Sequence, residues 1–104
     1  MKKMTRQPIH PGIIIKDDYL KPLSITITKL SSTLNVSRKT LSKIINGNGA
    51  ITPDMALRLS RAFDTTPNLW INLQRNYDLW QAENTSNAWE SVQPFSSQLL
   101  HAGG

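Results

Sequence analysis

The stretch Thr26 to Gly49, TITKLSSTLNVSRKTLSKIINGNG, constrains this chain more than any other. It sets two short apolar stripes end to end with only a tight turn between them. Ile27, Leu30 and Leu34 recur at i, i+3 and i+7, and Leu41, Ile44 and Ile45 share one face of a second segment. Each segment opens on a residue, Thr26 or Ser37, whose side-chain oxygen can accept from the unpaired N–H groups of a first helical turn. Asn35 falls at the turn, and after Gly it is among the residues least penalised by a left-handed backbone. Gly47 permits the same conformation where the second helix must close. Leu23 to Thr28 alternates like a strand, and Asn46-Gly47-Asn48-Gly49 could serve a hairpin. The cap, the shared stripe and the missing hairpin partner outweigh both readings. Ile27, Thr28 and Thr33 are β-branched, so packing must hold the first of the two helices.

With Leu41, Ile44 and Ile45 turned inward, the second helix leaves Arg38, Lys39, Ser42, Lys43 and Asn46 outside. That is the layout of a helix-turn-helix that reads DNA. Arg can donate two parallel hydrogen bonds to guanine O6 and N7, and the first residues of a recognition helix enter the major groove most deeply. Arg38 and Lys39, directly after the cap, are therefore expected to read bases, with Ser42 and Lys43 one turn later as a second tier. Thr26, Thr28 and Ser37 suit phosphate oxygens, because hydroxyls and helix N-termini bind them, and Thr40, Asn46 and Asn48 are further phosphate candidates.

Charge distribution separates this reading from the blander one, a merely solvated basic face. The net charge is +5 and the pI about 9.9. No acidic residue occurs between Asp18 and Asp54, whereas Lys21, Lys29, Arg38, Lys39 and Lys43 all lie there, and no Lys or Arg follows Arg75. A polyanion would meet the motif's field unopposed, and its binding would weaken steeply with salt.

The rest of the chain supplies helices around this pair. Residues 1–9 form a basic arm with Lys2, Lys3 and Arg6. A first helix is expected from His10, with Pro11 at the first position where its missing N–H costs nothing, ending before Pro22; Ile13, Ile14, Tyr19 and Leu20 are its apolar contacts. A fourth opens on Thr52-Pro53-Asp54 with a stripe of Met55, Leu59, Ala62 and Phe63. A fifth opens on Thr66-Pro67, carries Leu69, Trp70, Leu73, Tyr77 and Trp80, and ends near Glu83 or Asn84. Its aromatic stripe fits a core, with a dimer interface as the sharper alternative. Residues 10–84 thus read as one all-α, five-helix domain. Residues 85–104 form a C-terminal extension in which Trp89, Val92, Phe95, Leu99 and Leu100 are more apolar than a free tail needs, pointing to fold-back, dimerisation or partner contact.

Several classes are disfavoured. There is no cysteine, so neither a disulfide framework nor a cysteine-based zinc site is available. No run of about 18 apolar residues marks a membrane span, and no signal peptide is visible, so a cytoplasmic protein is expected. His10 and His101 are far apart, no nucleophile elbow or phosphate loop occurs, and adjacent Asp17 and Asp18 splay on a helix rather than converge. Neither catalytic residues, a metal site nor a cofactor is expected.

The segments HPGIIIKDDYLKPL, LNVSRKTLSKIINGNGAITPDMALRLSRAF and TTPNLWINLQRNYDLWQA together resemble a HigA-type antitoxin of the lambda-repressor-like (Xre/Cro) helix-turn-helix family, from His10 to about Ala82. Relatives of this kind often carry Ala where Ser31 stands and Gly where Asn35 stands. The resemblance implies a lambda-repressor-like fold and a homodimer that reads a palindromic operator in double-stranded DNA and represses its own operon. It also implies neutralisation of a HigB-type mRNA-cleaving ribonuclease toxin by protein contact. A stand-alone Xre-family repressor without a toxin is the nearest alternative, and a protein-interaction module whose basic face meets an acidic partner is the alternative from another class.

Overall fold

The computed structural model describes residues 7–96, 99 and 101. Five helices and one short 3₁₀ turn make up its regular structure among those residues. We number the helices α1 (residues 11–23), α2 (Ile27–Leu34), α3 (Arg38–Ile45), α4 (Pro53–Phe63) and α5 (Pro67–Thr85), followed by the 3₁₀ turn Ala88–Ser91. Each helix is opened by a side-chain cap. His10 Nδ1 accepts from the Gly12 amide, Thr26 Oγ1 from Lys29, Ser37 Oγ from Thr40, Thr52 Oγ1 from Met55 and Thr66 Oγ1 from Leu69, at 2.9–3.2 Å. A side-chain cap of this kind typically contributes about 1 kcal/mol.

The C-terminal ends are as regular. Ser24, Asn35, Gly47 and Asp64 all adopt positive φ, at 55, 60, 81 and 54°. After the first three, the next amide returns to a carbonyl five residues back: Ile25 to Leu20, Val36 to Ser31 and Asn48 to Lys43. Thr65 does the same to Ser60 after Asp64. This pattern pairs carbonyls that a helix end otherwise leaves open. The expected left-handed positions at Asn35 and Gly47 are both present.

Inside, Ile15, Leu20, Leu30, Leu34, Leu41, Ile44, Ile45, Ile51, Met55, Ala56, Leu59 and Trp70 form one core. Tyr19 stacks on Phe63 with ring centroids 4.1 Å apart, Trp70 tilts against both, and its indole N–H donates to Thr65 Oγ1 at 2.8 Å. Of the α5 stripe, Trp70 is fully buried, Leu73, Tyr77 and Trp80 are half-buried and Leu69 is exposed.

Three expectations about elements need correction. Helix α1 does not stop before Pro22 but continues to Leu23, because residues Ile15–Leu20 widen into a π-helical turn ahead of the proline. The Lys21 amide there reaches the Lys16 carbonyl, and such a widened turn is one of the ways a helix absorbs a proline that would otherwise collide with the preceding turn. Second, Ile13 faces solvent and Ile15 is fully buried. Gly12 turns inward against α3, and Ile15, three residues later, must follow it. Third, Ala62 is exposed; the inward face of α4 is Met55, Ala56, Leu59 and Ser60.

Helix α5 ends at Thr85, close to the expected Glu83 or Asn84. Beyond it Val92, Phe95 and Leu99 are exposed and Trp89 sits at 36% exposure, so none of them is packed into the core. Leu100 lies outside the described residues, as do Lys2, Lys3 and Arg6 of the arm.

Gly12 provides a test of the α1–α3 contact. A Cβ there would overlap the Ile44 carbonyl oxygen and press on Ile45 Cα. Helix propensity alone favours Gly12→Ala by about 1 kcal/mol. Overpacking against backbone opposes it, and the expected net result is a loss of about 1–3 kcal/mol in urea unfolding. A stabilised variant would mean that α1 and α3 are not in contact.

Candidate nucleic-acid interface

The two eight-residue helices α2 and α3 meet through Asn35, Val36 and Ser37. In α2, Leu30 and Leu34 point inward with Ser31, which is buried although it carries a hydroxyl. Its hydroxyl donates to the Thr28 carbonyl at 2.9 Å, so the extra polar atom is satisfied within the helix. In α3, Leu41, Ile44 and Ile45 are buried and fix the helix's rotation about its axis.

That rotation decides what is presented. Arg38, Lys39, Thr40 and Lys43 are exposed and Ser42 is half-buried. The four expected base-reading residues therefore share the outer side of one helix. Of the expected phosphate contacts, Thr26, Thr28, Ser37, Asn46 and Asn48 are exposed as well. Thr26 and Ser37 stand at the N-termini of α2 and α3, while Asn46 and Asn48 follow the C-terminus of α3. Ser37 Oγ, besides accepting from the Thr40 amide, donates to Thr40 Oγ1 at 2.9 Å. Among the described residues Arg38, Lys39 and Lys43 form no ion pair; the pairs present are Lys21 with Asp17 and Arg58 with Asp54. Cations without intramolecular partners on one exposed face suit a polyanion.

Three residues that hold this surface were not picked out from sequence. Arg58 on α4 donates through Nη1 to the Leu34 carbonyl at 2.8 Å and the Asn35 carbonyl at 3.2 Å, while its Nε donates to Asp54 Oδ2 at 2.7 Å. One guanidinium thus ties the turn between α2 and α3 to α4. His10, 5% exposed, spans the far end of α3: with Nδ1 occupied by the Gly12 amide, Nε2 donates to the Gly49 carbonyl at 3.1 Å. Its ring meets Tyr77 edge-on at 4.8 Å. Gln74 on α5, 7% exposed, accepts from the Ile51 amide at 2.7 Å and donates to Asp78 at 2.9 Å. The i, i+4 spacing of Asp54 and Arg58 is visible in the sequence, but its aim at the turn is not.

Among the described residues no three His, Cys, Asp or Glu side chains group where a metal could be held, and no helix is long and apolar enough to cross a membrane.

Fold and site together define a helix-turn-helix protein. Residues 18–70 match the family model described as helix-turn-helix, and the chain belongs to that family, in its lambda-repressor-like, HigA-related part. It is 44% identical over 92 residues to the uncharacterised HTH-type transcriptional regulator YbaQ of Escherichia coli K12, covering 88% of this chain and 81% of that one. It is 38% identical over 84 residues to antitoxin HigA-1 of Vibrio cholerae, covering 81% and 79%. Among solved structures it resembles the Pseudomonas aeruginosa antitoxin HigA with the higBA promoter, at a TM-score of 0.77, 37% identity and coverage of 86% and 100%. Antitoxin GraA in complex with its operator is similar at 0.82, 36% identity and coverage of 93% and 100%. This is a family of DNA-binding regulators and antitoxins, not of enzymes.

The Arg58 clamp carries a prediction. Arg58→Met keeps the aliphatic stem but leaves two turn carbonyls and Asp54 without their donor, and should cost about 1–3 kcal/mol in urea unfolding. Arg58→Lys keeps the charge without the planar fork and should recover only part of that. Unchanged stability in both variants would show that the clamp does not hold the turn.

Proposed function

We propose that this chain is an antitoxin that represses its own operon by binding operator DNA as a homodimer through α3 and neutralises a HigB-type ribonuclease toxin by protein contact. The observation that carries the DNA-binding half is the outer face of α3, where Arg38, Lys39 and Lys43 stand unpaired among the described residues in a stretch of sequence free of acids. In this reading Arg38 and Lys39 contact base edges, with Ser42 and Lys43 behind them. Thr26, Thr28, Ser37, Thr40, Asn46 and Asn48 hold the phosphates on either side. Similarity to proteins described with an operator or a promoter supports it. A dimer follows from the need to read a palindrome, with half-sites about 34 Å apart.

The toxin-binding half rests on relatives described as antitoxins, and the exposed extension after Thr85 is the segment we assign to partner contact. A stand-alone repressor is the second reading. It is favoured by one observation: identity to a protein described as a transcriptional regulator, 44%, exceeds that to HigA-1, 38%. Co-expression with the adjacent small gene decides between them. A product that is toxic alone and co-purifies with this chain supports the antitoxin; a harmless one that forms no complex leaves the repressor.

Fluorescence anisotropy on the chain's own promoter tests the DNA interface. Arg38→Ala should weaken promoter binding by about 1–3 kcal/mol with little loss on random duplex, and relax discrimination at one base position. Lys43→Ala, if it contacts phosphate, should weaken both alike and flatten the salt dependence by about one unit. An Arg38→Ala loss of equal size on random DNA reassigns Arg38 to the backbone.

A further inference from the structure

The start of α1 is seated against the loop that follows α3. His10 Nε2 donates to the Gly49 carbonyl at 3.1 Å, and Gly12 lies so close to the Ile44 carbonyl that a Cβ would overlap it. Ahead of that seat, Gln7, Pro8, Ile9 and His10 share a groove of about 490 Å3 with Asn46 and Gly47. Gln7 and Ile9 are exposed, as are Asn46 and Asn48. The chain therefore enters the fold at the C-terminal end of α3, beside two of the residues assigned above to phosphates.

That end of the surface has no cation of its own. No Lys or Arg occurs between Lys43 and Arg58, and Arg58 is engaged with the turn at the opposite end of α3. Asn46 and Asn48 offer only neutral amides. The first six residues, by contrast, hold Lys2, Lys3 and Arg6, and no acid precedes Asp17. Arg6 is one peptide unit from Gln7, and extended chain carries Lys2 at most about 18 Å beyond it. We propose that residues 1–6 are a second DNA-contacting element, in which Lys2, Lys3 and Arg6 neutralise operator phosphates next to those held by Asn46 and Asn48. The proposal rests on the DNA-binding reading above and extends it from one helix to a helix and an arm. Phosphates carry no sequence information directly, so the arm adds affinity and salt dependence rather than base discrimination.

The first test uses the full chain with Lys2→Ala, Lys3→Ala and Arg6→Ala combined, and thermal melting to check that the variant folds as the wild type does. Anisotropy titrations between 50 and 200 mM salt read the slope of log affinity against log salt. Each phosphate contact contributes about 0.9 to that slope, so the triple variant should flatten it by about 2 to 3 per bound copy. Over this interval the wild type should then lose about 15- to 40-fold more affinity per copy than the variant, on promoter and random duplex alike. The second test exploits the absence of cysteine: Met4→Cys keeps all three cations and gives a single attachment point for an iron chelate that cuts DNA by hydroxyl radicals. Cuts confined to a few nucleotides per bound copy support contact by the arm. An unchanged slope overturns the proposal, and so does a flattened slope without localised cuts, because charge acting from a distance leaves the backbone whole. A triple variant that keeps its DNA binding but loses a co-purifying protein overturns it in favour of a protein contact. A wild-type chain that does not bind its promoter overturns the DNA-binding reading as well, which separates that failure from failure of the arm alone.

Discussion

An eight-residue helix has almost no stability of its own in water, because nucleation fixes several residues for the first hydrogen bond. What α3 presents to a partner therefore depends on how the rest of the chain holds it. At its N-terminal end Ser37 caps the first turn, and Arg58 ties down the carbonyls of Leu34 and Asn35. Beyond its C-terminal end His10 holds Gly49 and Gln74 holds Ile51. Between them Gly12 brings α1 against the Ile44 backbone so closely that no side chain fits. Leu41, Ile44 and Ile45 then set which face is left outside.

This arrangement divides labour between two sets of residues. The supporting set is buried or engaged in hydrogen bonds within the protein, and α4 and α5 contribute to it from outside the helix-turn-helix. The presenting set, Arg38, Lys39, Ser42 and Lys43 with the flanking hydroxyls and amides, takes little part in the core. Substitutions on the outer face can thus change what is recognised at small cost to stability, whereas loss of Arg58 or His10 alters the platform itself.

How much of this was legible in the sequence follows the range of the interactions involved. Caps at Thr26, Ser37, Thr52 and Thr66 and left-handed residues at Asn35 and Gly47 are local, set within a few residues, and they read correctly from the chain. Exposure of the α3 cations followed from helical spacing. Arg58 to Leu34, Gln74 to Ile51 and His10 to Gly49 span 24, 23 and 39 residues and carry no local signature. Ile13 was expected inside and Ile15 was passed over, because periodicity cannot say which of three apolar neighbours turns inward; the tight seat of Gly12 decides it. Pro22 misled because a proline ordinarily ends a helix, and the widened turn before it is a tertiary accommodation that residue type does not announce.

The central claim is that the outer face of α3 is the surface that meets DNA. Its most direct measurement is an amide chemical-shift titration of the isotopically labelled chain with a duplex carrying its own promoter. The account predicts the largest changes from Ser37 to Lys43 and smaller ones at Thr26, Thr28, Asn46 and Asn48. Changes concentrated on α5 or the extension, with α3 unmoved at low salt, would contradict it.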